Sequence, residues 1–263
     1  MNELWYKCWQ TNKILSVGIL IHLALLLIVL IILPYDGRQL MGESVWIKSI
    51  KFCLSIVLFL ASSIFILKYA NYKWQSIKII SWVLLSCMLF EIACILLQSA
   101  RAEKSHFNNT DPLGMMLFPL MGTAITIILV IYIVLCVRYF IYPSKALSTL
   151  MLWSVRVGLV IFVFSGVTGF MMASIGRHTI GGVDGGPGWF FTNWSTVAGD
   201  LRVAHFMSIH AIQIFPLLGL LLINVSWSTV IKKTVLIMIG LFYTLFNVLA
   251  FIQALQGRPL IYL

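Results

Sequence analysis

ILSVGILIHLALLLIVLIIL, residues 14–33, is the stretch on which the fold turns. It carries no charge, and about 20 apolar residues are what a helix needs to cross the hydrocarbon core of a bilayer. Lipid offers the backbone no hydrogen-bond partner, so such a run must close its own N–H to C=O bonds as a helix. Working outward, six more apolar runs follow, giving spans of about 14–34, 47–68, 77–99, 113–141, 148–173, 200–225 and 234–256. The mean hydropathy of +1.01 and the 61% of hydrophobic residues agree. The expected fold is all-α: a polytopic membrane protein of about seven transmembrane helices in one bundle, a single integral membrane domain over residues 1–263. The first run is followed by Pro34-Tyr35-Asp36-Gly37-Arg38, with no small-residue cleavage site, and reads as a signal anchor rather than a signal peptide. Five of the six connections are about 6 to 14 residues long; the exception, about 174–199, leaves the one place for an extended loop.

Polar residues are distributed unevenly around these spans. Of the eight carboxylates, Asp36, Glu43, Glu103, Asp111, Asp184 and Asp200 fall in alternate connections, which share a compartment if every run crosses. Glu3 falls on the other side and Glu91 inside a run. Lysine and arginine are nearly balanced across the two faces, with a slight excess on the N-terminal side, so the positive-inside rule places the N-terminus in the cytoplasm and the C-terminus outside. The net charge of +10 is scattered along helix ends, which suits anionic headgroups and not nucleic acid. Five cysteines, four of them inside apolar runs, are expected to be small buried hydrophobes.

Candidate functional residues gather on the acid-bearing side. On the third span Glu91, Cys94, Gln98 and Arg101 share one helical stripe. A carboxylate near a helix centre costs about 2.5 to 3.5 kcal/mol on insertion scales, so Glu91 must be partnered or protonated. On the sixth span Arg202, His205, His210 and Gln213 share one face. His205 and His210 are five residues apart, a poor chelate for one metal, since helical pairs usually stand three or four apart. Pro216 removes the hydrogen bond to Ile212, so a kink or an open carbonyl is expected there. Arg156, in the inner half of the fifth span, is expected to snorkel or to pair with a carbonyl. Two connections stand out: 98–108, with Arg101, Ser105, His106 and Asn108, and Gly181–Gly188, with Asp184 and nearby Trp194. The glycine run lacks the GK[ST] end of a P-loop and reads as a re-entrant turn or lid. Tyr243, Asn247, Gln253, Ser165 and Thr168 are expected to glue helices together around a polar pocket.

The runs 46–52 (WIKSIKF), 105–108 (SHFN), 184–188 (DGGPG), 193–195 (NWS) and 199–202 (GDLR) resemble a family of bacterial multi-pass inner-membrane proteins. The resemblance covers most of the chain from Pro34 onwards; it implies a bacterial inner-membrane address and carries over no catalytic residue. Seven-helix zinc hydrolases of the ceramidase and progestin-receptor type differ: they place a His pair three residues apart on the last helix, where this chain has no histidine.

Three functions compete. The first is an outward-facing site that binds or processes a small anionic or lipid-linked ligand. Glu91, His205, Asp200 and Arg202 would be its catalytic residues, and Arg101, Ser105, His106, Asn108, Asp184, Trp194, Gln213 and Asn247 its ligand contacts. A divalent metal on His106, His205 and His210 would assist it. The second is a b-type haem protein with His22 and His210, at similar depth on different helices, as axial ligands. The third is a proton-coupled transporter or sensor using Glu91 and His210. Membrane lipids are expected partners in all three; the sequence leaves the oligomeric state open.

Overall fold

The computed structural model describes residues 3–261. Its helices are α1 (Glu3–Thr11), α2 (Lys13–Ile32), α3 (Ile47–Tyr69), α4 (Trp74–Ala100), α5 (Pro112–Ile141), α6 (Thr149–Ile175), α7 (Arg202–Ile223) and α8 (Thr229–Leu255). α2 to α8 are the seven helices long and apolar enough to span a membrane, so the chain is an all-α polytopic membrane protein. Four two-residue strands, β1 (Gln39–Leu40), β2 (Glu43–Ser44), β3 (Thr179–Ile180) and β4 (Gly199–Asp200), make two small antiparallel ladders in the connections.

Helix starts follow capping chemistry. Asn12 Oδ1 accepts from Leu15 N at 3.1 Å, Ser148 Oγ from Met151 N at 3.3 Å and Ser228 Oγ from Ile231 N at 3.3 Å. Each such cap contributes about 1 kcal/mol. The Ser228 cap explains why α8 begins at Thr229 and not near 234: Lys232 and Lys233 lower the hydropathy but do not stop the helix, and Lys232 Nζ donates to Ile223 O at 2.8 Å. α1, a short helix before the first span, has no apolar run to announce it.

The contacts divide into two compact units, Met1–Ile131 and Tyr132–Leu263. In the first, α2 packs mainly on α3. Gly18 makes room there: a Cβ would stand 2.6 Å from Leu85 Cδ1 and 3.0 Å from Leu60 Cδ1. Asn12 Nδ2 donates to Ser81 Oγ at 2.7 Å and fixes the height of α2 against α4.

In the second unit the dominant pairing is α6 with α7. With no hydrophobic drive between helices in lipid, close packing of small residues supplies the association. Gly158 lies against the backbone of Ala211 and Ile212, and Gly219 against Ser154. Phe215 is fully buried between them, with Leu150, Ile161 and Leu236. α7 continues through Pro216, as α5 does through Pro119. Arg156 does pair with a carbonyl: Nε and Nη2 donate to Tyr139 O at 3.1 and 3.0 Å, with its guanidinium over the Phe140 and Trp153 rings.

A Cβ on Gly158 would stand 2.8 Å from Ala211 O, a backbone atom that cannot swing aside, whereas a Cβ on Gly122 meets nothing within 4 Å. Gly158→Ala should therefore lower the melting temperature of the detergent-purified protein, with an overpacking cost of about 1–3 kcal/mol. Gly122→Ala should leave it unchanged or raise it, by up to about 1 kcal/mol of helix propensity.

Candidate functional site

The loop carboxylates are engaged by their own neighbourhoods. Asp36 accepts from Arg38 Nη2 and Trp46 Nε1, both at 2.7 Å, and Arg38 Nη1 reaches on to Ala100 O at 3.0 Å. The Arg38 guanidinium, and then the Trp46 N–H, hold the Asp36 carboxyl well below the usual range. Glu43 pairs with Lys51 at 2.7 Å, and Glu103 accepts from Asn108 at 3.2 Å. Asp111 takes a two-pronged pair of bonds from Arg101, both 2.8 Å, which again depresses its carboxyl. Asn108 is a cap: its Oδ1 accepts from Thr110 N, Thr110 Oγ1 and Asp111 N, and Asp111 accepts from Gly114 N. Arg101 and Asn108 thus tie the 101–111 connection to the start of α5. Ala102 and Phe107 hold positive φ of 57° and 54° in it, conformations that cost non-glycine residues about 1–3 kcal/mol.

Within that frame the first unit brings together Glu91, Ser105, His106 and Lys48. His106 Nδ1 lies 3.2 Å from Lys48 Nζ and 3.1 Å from Ser105 Oγ. An ammonium can only donate, so Nδ1 is the acceptor and the ring proton sits on Nε2. Nε2 in turn faces Glu91 Oε1 at 3.6 Å, with the His106 side chain 25% exposed and that of Glu91 3%. Glu91 Oε2 is buried without a hydrogen-bond partner. The rings of Phe52, Phe107 and Phe118 surround the imidazole at centroid distances of 6.0, 6.1 and 5.7 Å. The arrangement is a line of proton-carrying groups from a partly exposed imidazole to a buried carboxyl with one open oxygen.

The second unit gathers Asp184, Asp200 and Arg202 around His178, a residue the sequence reading passes over. His178 Nδ1 stands 3.3 Å from Asp184 Oδ1 and 3.9 Å from Asp200 Oδ1. Thr179 N donates to Asp184 and Ser195 N to Asp200, both at 2.9 Å. Arg202 chelates Asp200, with Nη2 to Oδ2 at 2.6 Å, and also donates to Asn193 O. Burial alone would raise the Asp200 carboxyl, but Arg202, the Ser195 amide and His178 outweigh it and hold it below the ordinary value. Asp200 and Arg202, expected as catalytic groups, act here as a clasp closing the 176–201 connection on the start of α7.

His205 turns towards α6. Its Nδ1 lies 3.1 Å from Ser165 O and 3.0 Å from Thr168 Oγ1; a carbonyl can only accept, so Nδ1 carries the proton and Nε2 is left as a base. His210 stacks on Phe206 at 4.3 Å, and Gln213 Oε1 is buried without a partner. Asn247 bonds Ser208 Oγ at 3.0 Å and Tyr243 donates to Met207 O at 2.7 Å, both joining α8 to α7. Asn247 also lines a crevice of about 360 Å³ with Val160, Phe164, Val167 and Thr244, whose walls are mostly apolar. Trp194 packs on Phe206 at 5.5 Å.

Among the described residues no three His, Cys, Asp or Glu side chains are grouped to hold a metal ion. His22 has the hydrogen bonding of a ligand, with Nδ1 2.7 Å from Gly18 O and Nε2 unpartnered. One turn away Leu85 and Leu60 pack closely over Gly18. Lys48 and His178 are the functional-looking residues the sequence reading missed. His178 was visible as a loop histidine three residues before Gly181, and Lys48 as a cation at the start of a span. No family model matches the chain, and comparison with curated proteins and with solved structures gives no match.

Because the Asp200 carboxyl is depressed in the folded state, its contribution to stability is present above the unfolded carboxylate range, near pH 4, and is lost as pH falls through its folded value. Asp200→Asn should remove about 3–5 kcal/mol at neutral pH by stranding Arg202. It should also flatten the acid limb of the melting temperature against pH. An unchanged acid limb in the variant would show that the clasp does not hold the connection.

Proposed function

We propose that the protein is a multi-pass inner-membrane protein, N-terminus cytoplasmic and C-terminus outside. In this reading its outward end exchanges protons with a small anionic or lipid-linked ligand through Glu91 and His106. What supports the reading most is the open Oε2 of Glu91: a buried carboxyl oxygen without a partner costs stability unless something else uses it. His106 Nε2 can pass its proton to Glu91 Oε1 while Nδ1 takes one from water, which leaves the imidazole neutral with its proton on Nδ1; a flip of the ring restores the Nε2–H before the next transfer. Glu91 then gives a proton to, or takes one from, a ligand group at Oε2. Proton transfer by a positioned group of this kind contributes typically about 10²–10⁴-fold to a rate. Lys48 favours an anionic ligand, and Phe52, Phe107 and Phe118 offer an apolar wall to a lipid-linked one. Such a ligand reaches the site sideways from the bilayer. A proton-coupled carrier is the second reading, favoured by the same line of groups leading from the membrane edge into the span.

Infrared difference spectroscopy of the reconstituted protein between acid and alkaline pH tests the site. The protonated-carboxyl band that appears at low pH should lose one component, that of the buried Glu91, in Glu91→Gln. In His106→Ala that component should persist but titrate over a displaced pH range. A spectrum unaltered by Glu91→Gln would refute the site. Proton flux into dye-loaded liposomes, abolished by Glu91→Gln, would select the carrier over the ligand-processing reading.

A further inference from the structure

We propose that the hairpin at residues 188–195 is a membrane-interface anchor whose tip, Phe190-Phe191, seats in the boundary between lipid headgroups and acyl chains beside α7. The hairpin is closed by the Gly188–Ser195 bridge, by Trp189 N to Trp194 O at 2.9 Å and by Asn193 N to Trp189 O at 2.8 Å. Phe191 and Asn193 turn the chain at φ of 66° and 53°. Phe190 is 99% exposed and Phe191 49%, although both follow a tryptophan that is partly covered. Two adjacent phenylalanines held out by a strained turn are not a solvent-facing choice.

The occupant follows from where the hairpin is fastened. Arg202, the first residue of α7, donates to Asn193 O, and the Trp194 ring packs on Phe206, one turn inside the span. Phe206 shares its face of α7 with Ile214, Leu217 and Leu221, each at least 38% exposed, and with the half-buried His210 and Gln213 between them. The exposed members of that row are open to lipid in a membrane-spanning helix, and the base of the hairpin rests at their N-terminal end. Aromatic residues at the ends of spans prefer this depth. Arg177 and Arg258, exposed at the ends of α6 and α8, add cations for anionic headgroups. Val183, 79% exposed in the glycine run of the same connection, lies before the hairpin and serves as a reference position.

Nitroxide labels at Phe190→Cys and at Val183→Cys, each in a chain with Cys8→Ser and Cys136→Ser and with the buried Cys53, Cys87 and Cys94 retained, test this in proteoliposomes against an unlabelled-site blank. Collision with oxygen, which concentrates in lipid, is compared with collision with a water-soluble nickel chelate. The oxygen-to-nickel ratio at 190 should exceed that at 183 severalfold. A ratio at 190 equal to that at 183 would place the tip in water and overturn the proposal. Low collision with both probes at 190 would show the tip covered by protein, a second copy or a partner, and would overturn it equally. Should the cysteine chains fail to reconstitute, Phe190→Tyr and Phe190→Asp in the otherwise native chain decide the matter: salt- and carbonate-resistant protection of the hairpin from chymotrypsin in vesicles should survive in the first and be lost in the second. Equal protection of both would contradict the anchor.

Discussion

The bilayer core offers no hydrogen-bond partner, and the rest of this structure follows from that constraint. Beyond their first turns the spans close their backbone bonds as helices, and many polar side chains inside them reach a carbonyl or a hydroxyl nearby. Ser63, Ser81, Ser154 and Ser208 turn back on carbonyls four residues earlier in their own helices. Arg156 finds the Tyr139 carbonyl, and Asn247 finds Ser208. Against this background the atoms left open carry information. Among the described residues they are Ser16 Oγ, His22 Nε2, Glu91 Oε2 and Gln213 Oε1. Only Glu91 among these couples an open atom to a chain of titratable neighbours that reaches the protein surface.

The same constraint keeps all of the eight carboxylates but Glu91 out of the spans. Those carboxylates do not form an open anionic surface. Asp36, Asp111 and Asp200 each bind an arginine two to ten residues away and a backbone or indole N–H as well, so each ties a connection to the end of a helix. Glycine-rich and strained segments are held in this way with little secondary structure beyond two-residue ladders. In the proposed reading Asp200, Arg202, Arg101 and Asn108 hold the connections in place, and Glu91, His106 and Lys48 form the site.

Much of the fold was legible in the sequence, because an uncharged run such as residues 14–33 has no alternative to a membrane helix. Boundaries were read less well where a cap overrides hydropathy, as at Ser228, where the helix begins ahead of two lysines. The stripe of Glu91, Gln98 and Arg101 was also legible, since it depends only on helical periodicity. What periodicity cannot give is the pairing of loop residues. Whether Arg202 meets a ligand or Asp200 depends on the path of the 176–201 connection, fixed by a bridge at Gly188 and Ser195 and by left-handed turns at Phe191 and Asn193. The surroundings of His178 were hidden for the same reason: Asp184, six residues on, and Asp200, 22 residues on, meet it only once the connection has folded back. His205 illustrates a third limit, since its partner is a main-chain carbonyl of α6 and leaves no mark in the side-chain pattern.

The account rests on the acid-bearing connections opening to one compartment, and two-sided labelling addresses that most directly. Single cysteines at Asn109, Val183 and Lys145, in a chain stripped of its reactive native thiols, would be exposed in intact cells and in inverted vesicles to a maleimide that cannot cross the membrane. Residues 109 and 183 should react from outside and residue 145 from within. Reaction of 109 and 145 from the same side would contradict the arrangement on which the proposed site depends.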